Sequence, residues 1–142
     1  MSSPVETVQA LTKAFNARDW DAFRSLIADE CVYEEPATGL RTTRGDDLLS
    51  AVQTWAGAFG DVQGEVTNAF QDGNQVALEI TWSGTHTGDV ALPSGAIPAT
   101  GRHVESKAVQ IVEVVDGRVT ANRHYLDIAT LLSQLGLLTP PS

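Results

Sequence analysis

Val114-Val115-Asp116-Gly117-Arg118-Val119-Thr120-Ala121-Asn122-Arg123-His124-Tyr125-Leu126-Asp127 decides the fold. Asp-Gly between two β-branched runs predicts a hairpin, because Gly accepts the positive φ that tight hairpin turns demand. The strand after the turn ends in Asn122, Arg123, His124 and Tyr125, too polar for a plain core strand, so it is expected to carry a working side chain into a pocket. Which one depends on strand parity. A two-residue Asp116-Gly117 turn pairs Gln110 with Arg123 and turns His124 away. A three-residue loop ending on Gly117 with a bulge puts Ala108, Gln110 and His124 on one face. The preceding strand favours the second reading. Val104, Ser106, Ala108, Gln110, Val112 and Val114 form its less charged side, and His103, Glu105, Lys107 and Glu113 lie on the other.

After the hairpin, Asp127 is placed to cap a closing helix with Ile128, Leu131, Leu132 and Leu135 on its apolar face and Gly136 at its end. Before it, Arg102 to Val115 and Val76 to His86 read as long strands, joined by a Gly/Pro loop from Gly88 to Gly101 that includes Pro93, Gly95 and Pro98. Asp72-Gly73-Asn74 turns back into a strand in which Val62, Val66 and Phe70 share one face by the period of two.

The N-terminal half is helical. Ser3, Pro4 and Glu6 predict a capping box, and Val5, Val8, Leu11 and Phe15 form a stripe. The stripe breaks at Asn16-Ala17-Arg18. Asp19 then caps a short helix bearing Trp20, Phe23, Leu26 and Ile27. Cys31 to Glu35 is a strand stopped by Pro36. Asp46 or Asp47 is expected to cap a third helix with Leu48, Leu49, Val52, Trp55, Ala56 and Phe59 on its face. Helices followed by a run of strands mean an α+β fold: one domain over residues 1–142, with an antiparallel, strongly curved sheet that forms a cone, and helices packed on its concave face. A cone of this kind encloses an apolar cavity with polar groups at strand ends.

The 142 residues suffice for a core without disulfides or metal. The net charge of -9 argues against nucleic acid or an anionic membrane as partner. With one cysteine, Cys31, no internal disulfide forms. No stretch has signal-peptide or membrane-spanning character, so a cytoplasmic location is expected. Three scattered His and one Cys lack metal-ligand spacing. Gly84-Thr85-His86-Thr87-Gly88 leaves a strand rather than opening a helix, so it implies no phosphate-bearing cofactor, and none of any kind is expected.

Several stretches together resemble a SnoaL-like polyketide cyclase of the nuclear-transport-factor-2-like superfamily, with its cystatin-like α+β roll. They are Arg18-Asp19-Trp20-Asp21, Val32-Tyr33-Glu34-Glu35-Pro36, Gly84 to Gly88, Pro98 to Arg102, Asp116 to Val119 and Leu131 to Leu137. The resemblance implies a catalytic Asp seven residues past the hairpin Gly, where this chain has His124, and a pocket His where it has Gln110. In related limonene-epoxide hydrolases a Tyr and an Asn match Tyr33 and Glu35, whereas an Arg and an Asp match Ile80 and Trp82, which disfavours that mechanism. In ketosteroid isomerases the base precedes a Pro, as Glu35 precedes Pro36. The resemblance further implies a homodimer through the open sheet face.

The candidate catalytic residues are therefore His124, Glu35 and Tyr33. An imidazole passes protons near neutrality, and a carboxylate desolvated in an apolar cone becomes a usable base. The candidate ligand-binding residues are Gln110, Ala108, Trp82, Trp55 and Leu126, with His86 at the pocket mouth. Asp127 is read as a helix cap, with Arg123 and Tyr125 outside. Two functions follow. One is a cofactor-independent enzyme removing a proton α to the carbonyl of an apolar, polycyclic substrate, leading to aldol cyclisation or isomerisation. The other is a binding or scaffold domain with a vestigial pocket.

Overall fold

The computed structural model describes residues 2–92 and 95–138; Pro93 of the anticipated Gly/Pro loop lies outside them. In chain order the elements are α1 (Pro4–Ala17), α2 (Trp20–Ser25), β1 (Ile27–Glu35), β2 (Leu40–Thr42), α3 (Gly45–Ala58), β3 (Gln63–Asp72), β4 (Gln75–Thr85), β5 (Val90–Leu92), β6 (Gly95–Ile97), β7 (His103–Val115), β8 (Arg118–Leu126) and α4 (Ile128–Gln134). The architecture is α+β, with a curved six-stranded sheet in the order β2-β1-β8-β7-β4-β3. The sheet is antiparallel except where β1 lies parallel to β8. That pairing departs from the all-antiparallel expectation. It arises because β1 and β8 both run away from the same end of the sheet, separated by the rest of the chain.

The capping box of α1 forms as expected: Glu6 N–H donates to Ser3 Oγ and Ser3 N–H to Glu6 Oε1. The anticipated break is a left-handed Arg18 (φ 57°), whose guanidinium donates to the carbonyls of Phe15, Gly60 and Val62. Asn16 pairs with both backbone groups of Gly64 at 2.8 Å, so the end of α1 is fastened to β3. α1 lies across β3, β4, β7 and β8, and α3 packs on β1 and β2. Between helices and sheet sits a core that includes Val8, Leu11, Phe15, Ile27, Leu48 and Ile80. A smaller cluster joins Phe59, Val90, Val104 and Leu135.

Four expectations change. Ile27 begins β1 rather than ending the second helix, because α2 stops at Ser25. Neither Asp46 nor Asp47 caps α3. Arg44 stands at its N-cap without a side-chain hydrogen bond, and Asp46 accepts instead from Arg24 at 2.8 Å. The Gly/Pro loop holds the short β5–β6 ladder. Finally, β3 carries a bulge: Val66 pairs with Ile80 but Asn68 with Glu79, so Thr67 is extra. The bulge reverses parity, which turns Phe70 outward at 64% exposure while Ala69 packs against the core.

Candidate active site

The β7–β8 hairpin combines features of both sequence readings. Asp116 (φ 52°) and Gly117 (φ 74°) form a two-residue turn between the paired Val115 and Arg118. Positive φ at both central residues is the conformation of a type I′ turn. The shift in register comes further along. Val114 pairs with Val119 but Glu113 with Ala121, leaving Thr120 as the extra residue. Its hydroxyl donates to the Glu113 carboxylate at 2.5 Å, which ties the bulge to the facing strand. From there on His124 stands opposite Gln110, and both are buried on the concave face.

β1 brings Tyr33 and Glu35 onto the same face, with Tyr33 beside Asn122 of β8. The Tyr33 hydroxyl donates to Glu35 Oε2. It also lies 2.9 Å from His124 Nδ1, and the indole N–H of Trp82 donates to His124 Nε2 at 3.2 Å. An indole nitrogen can only donate, so Nε2 must accept and a neutral His124 carries its proton on Nδ1. That N–H donates to the Tyr33 oxygen, which leaves the phenolic proton for Glu35. The chain therefore runs one way: Trp82 to His124 to Tyr33 to Glu35. Thr38 Oγ1 donates to the other carboxylate oxygen, Oε1, at 2.9 Å.

Burial sets the ionisation of all three titratable members. It pushes the His124 imidazole down to about 4, so the ring is neutral at ordinary pH. It raises the Tyr33 phenol well above its ordinary value, reinforced by the Glu35 charge and hydrogen bond. It also raises Glu35, against the opposing donors Tyr33, Thr38 and Trp55. Glu35 is thus a buried carboxyl group with raised proton affinity, and both ring nitrogens of His124 are engaged by neighbours.

These groups face a cavity of ≈ 120 Å³ whose walls include Phe15, Leu48, Val52 and Val62. Trp55, Trp82, Gln110 and Leu126 line it as anticipated. Two expected lining residues do not. Ala108 faces inward but is covered by core neighbours, because its short side chain does not reach the open space. His86 is fully buried behind the cavity wall, its ring stacked on Phe59 at 5.0 Å and its Nδ1 accepting from Thr100 N–H at 3.2 Å. Asp127 caps α4 by accepting from Thr130 N–H. Sequence reasoning missed Thr38, Asn122 and the hydrogen-bonding role of Trp82. Only Asn122 left a signal, as a polar residue in an apolar strand.

Among the described residues, no cluster of three or more His, Cys, Asp or Glu is arranged to hold a metal ion, and no helix is long and apolar enough to cross a membrane.

Comparison with known proteins agrees with this architecture. The chain is 25% identical over 138 residues to the aklanonic acid methyl ester cyclase DauD of Streptomyces sp. (strain C5), covering 96% of this chain and 83% of that one. It is equally similar to the aklanonic acid methyl ester cyclase DnrD of Streptomyces peucetius, covering 92% of that protein. The crystal structure of wild-type IdmH from Streptomyces antibioticus superposes with a TM-score of 0.81 at 29% identity, covering 95% of this chain and 99% of that one. The model of the SnoaL-like polyketide cyclases matches residues 5–135, and the chain belongs to that family.

Proposed function

We propose that this protein is a cofactor-independent enzyme that removes a proton α to a carbonyl of an apolar, polycyclic or polyketide-like substrate, with Glu35 as the base. The enolate then closes a ring by aldol addition or is reprotonated at another carbon. The observation that carries this reading is the sealed carboxylate: Glu35 is 2% exposed, borders the cavity, and accepts from Tyr33 and Thr38. With Tyr33, Thr38 and Trp55 as donors against four lone-pair positions, one position is left for the substrate's proton. Desolvation raises its pKa toward the working range of a general base. The relatives named as cyclases support the reaction class.

The reading of a non-catalytic binding domain draws on one observation: His124 stands where these cyclases are expected to have an acid, and its two nitrogens are engaged by neighbours. Deuterium exchange at the α-carbon of 2-tetralone separates the two. Exchange catalysed by the protein supports the enzyme. Saturable binding with exchange no faster than in buffer supports the binding domain.

Pairing of two copies through the open sheet face belongs to the same proposal. Phe70, Val109 and Tyr125 are exposed there, at 64%, 37% and 46%. Sedimentation of the wild type as a dimer and of Tyr125→Glu as a monomer is the expected result; a monomeric wild type sinks it.

A further inference from the structure

A base alone does not make an enolate affordable, since the charge that develops on the carbonyl oxygen needs donors already in place. Tyr33 is the obvious candidate, but its one proton is committed. His124 Nδ1–H fills the acceptor side of its oxygen, and the phenolic O–H goes to Glu35. The other buried polar side chains lining the cavity are Ser106, His124, Gln110 and Asn122. Ser106 donates to the Asp127 carbonyl at 3.2 Å, and His124 is engaged at both nitrogens. Two remain, Gln110 and Asn122, at 8% and 5% exposure. Neither carboxamide makes a side-chain hydrogen bond to any described residue, so the N–H groups of both are free to donate to a ligand; the enclosed Asn122 Oδ1 is an acceptor and takes no part. Buried amides left this way are rare, because each uncompensated group costs on the order of 1–3 kcal/mol.

Register places the two amides around the proton chain. Gln110 stands opposite His124 on β7, and Asn122 stands beside Tyr33 on β8, diagonal to Gln110. We propose that Gln110 and Asn122 are the oxyanion donors of this site, binding the oxygen of a planar enolate or phenolate carried on an apolar ring system. This rests on the reading of Glu35 as base. Glu35 takes the α-proton, the C–H electron pair forms the enolate double bond, and the carbonyl π pair moves onto oxygen, where the two N–H groups receive it. In an aldol closure the enolate carbon attacks a second carbonyl of the same substrate, and the new alkoxide takes the proton back from Glu35. Atoms and electrons balance without any co-reactant. Tyr33 stays protonated throughout and acts by holding Glu35.

The test uses 2-naphthol as an enolate mimic, read by the absorbance of its ionised form when bound to the full chain. The wild type is expected to raise the acid ionisation constant of bound naphthol by at least about tenfold over free naphthol, since two charge-assisted hydrogen bonds favour the anion. Gln110→Met and Asn122→Leu each remove most of that gain. Binding of naphthalene, which has no oxygen, persists in both variants and reports an intact cavity. Should either variant lose naphthalene binding, Gln110→Leu and Asn122→Ala, which likewise carry no polar donor, replace it with the same expected loss. Ionisation of bound naphthol that is equal in the wild type and the variants overturns the proposal. That outcome is independent of Glu35: loss of α-proton exchange in Glu35→Gln tests the base, and naphthol ionisation tests the amides.

Discussion

The Trp82 indole N–H donates to His124 Nε2 at 3.2 Å, and this contact sets the direction of every proton from β4 to β1. With Nε2 held as an acceptor, His124 must present Nδ1–H to Tyr33, and Tyr33 must present its own proton to Glu35. A tryptophan at the far end of the chain thereby keeps the carboxylate in its accepting, ionisable form.

Trp82→Phe removes that constraint. His124 is then free to carry its proton on Nε2, Tyr33 can donate to Nδ1 instead, and Glu35 Oε2 loses a donor that lowers its pKa. The acid limb of the pH–rate profile for α-proton exchange is expected to move up by roughly one unit, with the plateau at higher pH less affected. An unchanged acid limb shows that Trp82 only packs.

Tyr33→Phe leaves two buried groups short, His124 Nδ1–H and Glu35 Oε2. Denaturant unfolding is expected to show a loss of about 2–4 kcal/mol, the cost of orphaning two buried polar groups. Exchange should fall, with its acid limb at higher pH than in the wild type. A loss below about 0.5 kcal/mol means the hydroxyl is not holding the pair.

His124 makes the fold acid-sensitive. Its native pKa is pushed down to about 4, below the ordinary value of 6.5. Between those values the unfolded chain binds a proton that the native chain does not, so stability rises with pH through this window and is lost as pH falls through it. The difference amounts to about 3 kcal/mol. Glu35 acts in the opposite sense: its raised native pKa favours the native state at low pH, and that contribution disappears as pH rises through its native pKa. His124→Gln should flatten the acid side of the stability profile between pH 4 and 6.5, measured by urea unfolding at a series of pH values. Equal slopes in the two proteins contradict a buried neutral imidazole.

Gly64 keeps room for Trp82. A Cβ at this position would lie 2.6 Å from the indole ring and 2.8 Å from Ile80 Cδ1. Gly64→Ala is expected to destabilise by about 1–3 kcal/mol through overpacking. It also moves Trp82 away from His124, giving the same upward shift of the acid limb as Trp82→Phe. A variant as stable as the wild type with an unshifted profile counts against this fit.

Much of the fold was legible because its periods are clear. The stripe of Val8, Leu11 and Phe15 and the alternation from Val104 to Val114 each admit one reading, and the caps at Ser3, Asp19 and Asp127 stand where the chain needs them. The bulge of β3 was not legible, and the one in the β7–β8 hairpin was legible as a demand of parity but not in its position. Thr67 and Thr120 are ordinary strand residues, and nothing in their identity says that each is left over from the ladder. Yet Thr67 decides where Phe70 points, and Thr120 decides that His124 faces Gln110. The pairing of Tyr33 with Glu35 was visible from the period of two. The contact of His124 with Trp82 was not, because it depends on two strands joined only through β7 and on the bulge in β8. Thr38 sits in a turn, where no period marks which side chain folds back onto Glu35.

In the proposed mechanism Glu35 moves the proton and His124 holds the apparatus in place. Measuring α-deuterium exchange of 2-tetralone by Glu35→Gln and His124→Gln side by side tests it most directly. Glu35→Gln should lose at least about a hundredfold in rate, the contribution of a general base, while His124→Gln, whose amide can still donate to Tyr33, should stay within about tenfold of the wild type. Exchange that survives in Glu35→Gln and collapses in His124→Gln would contradict the account.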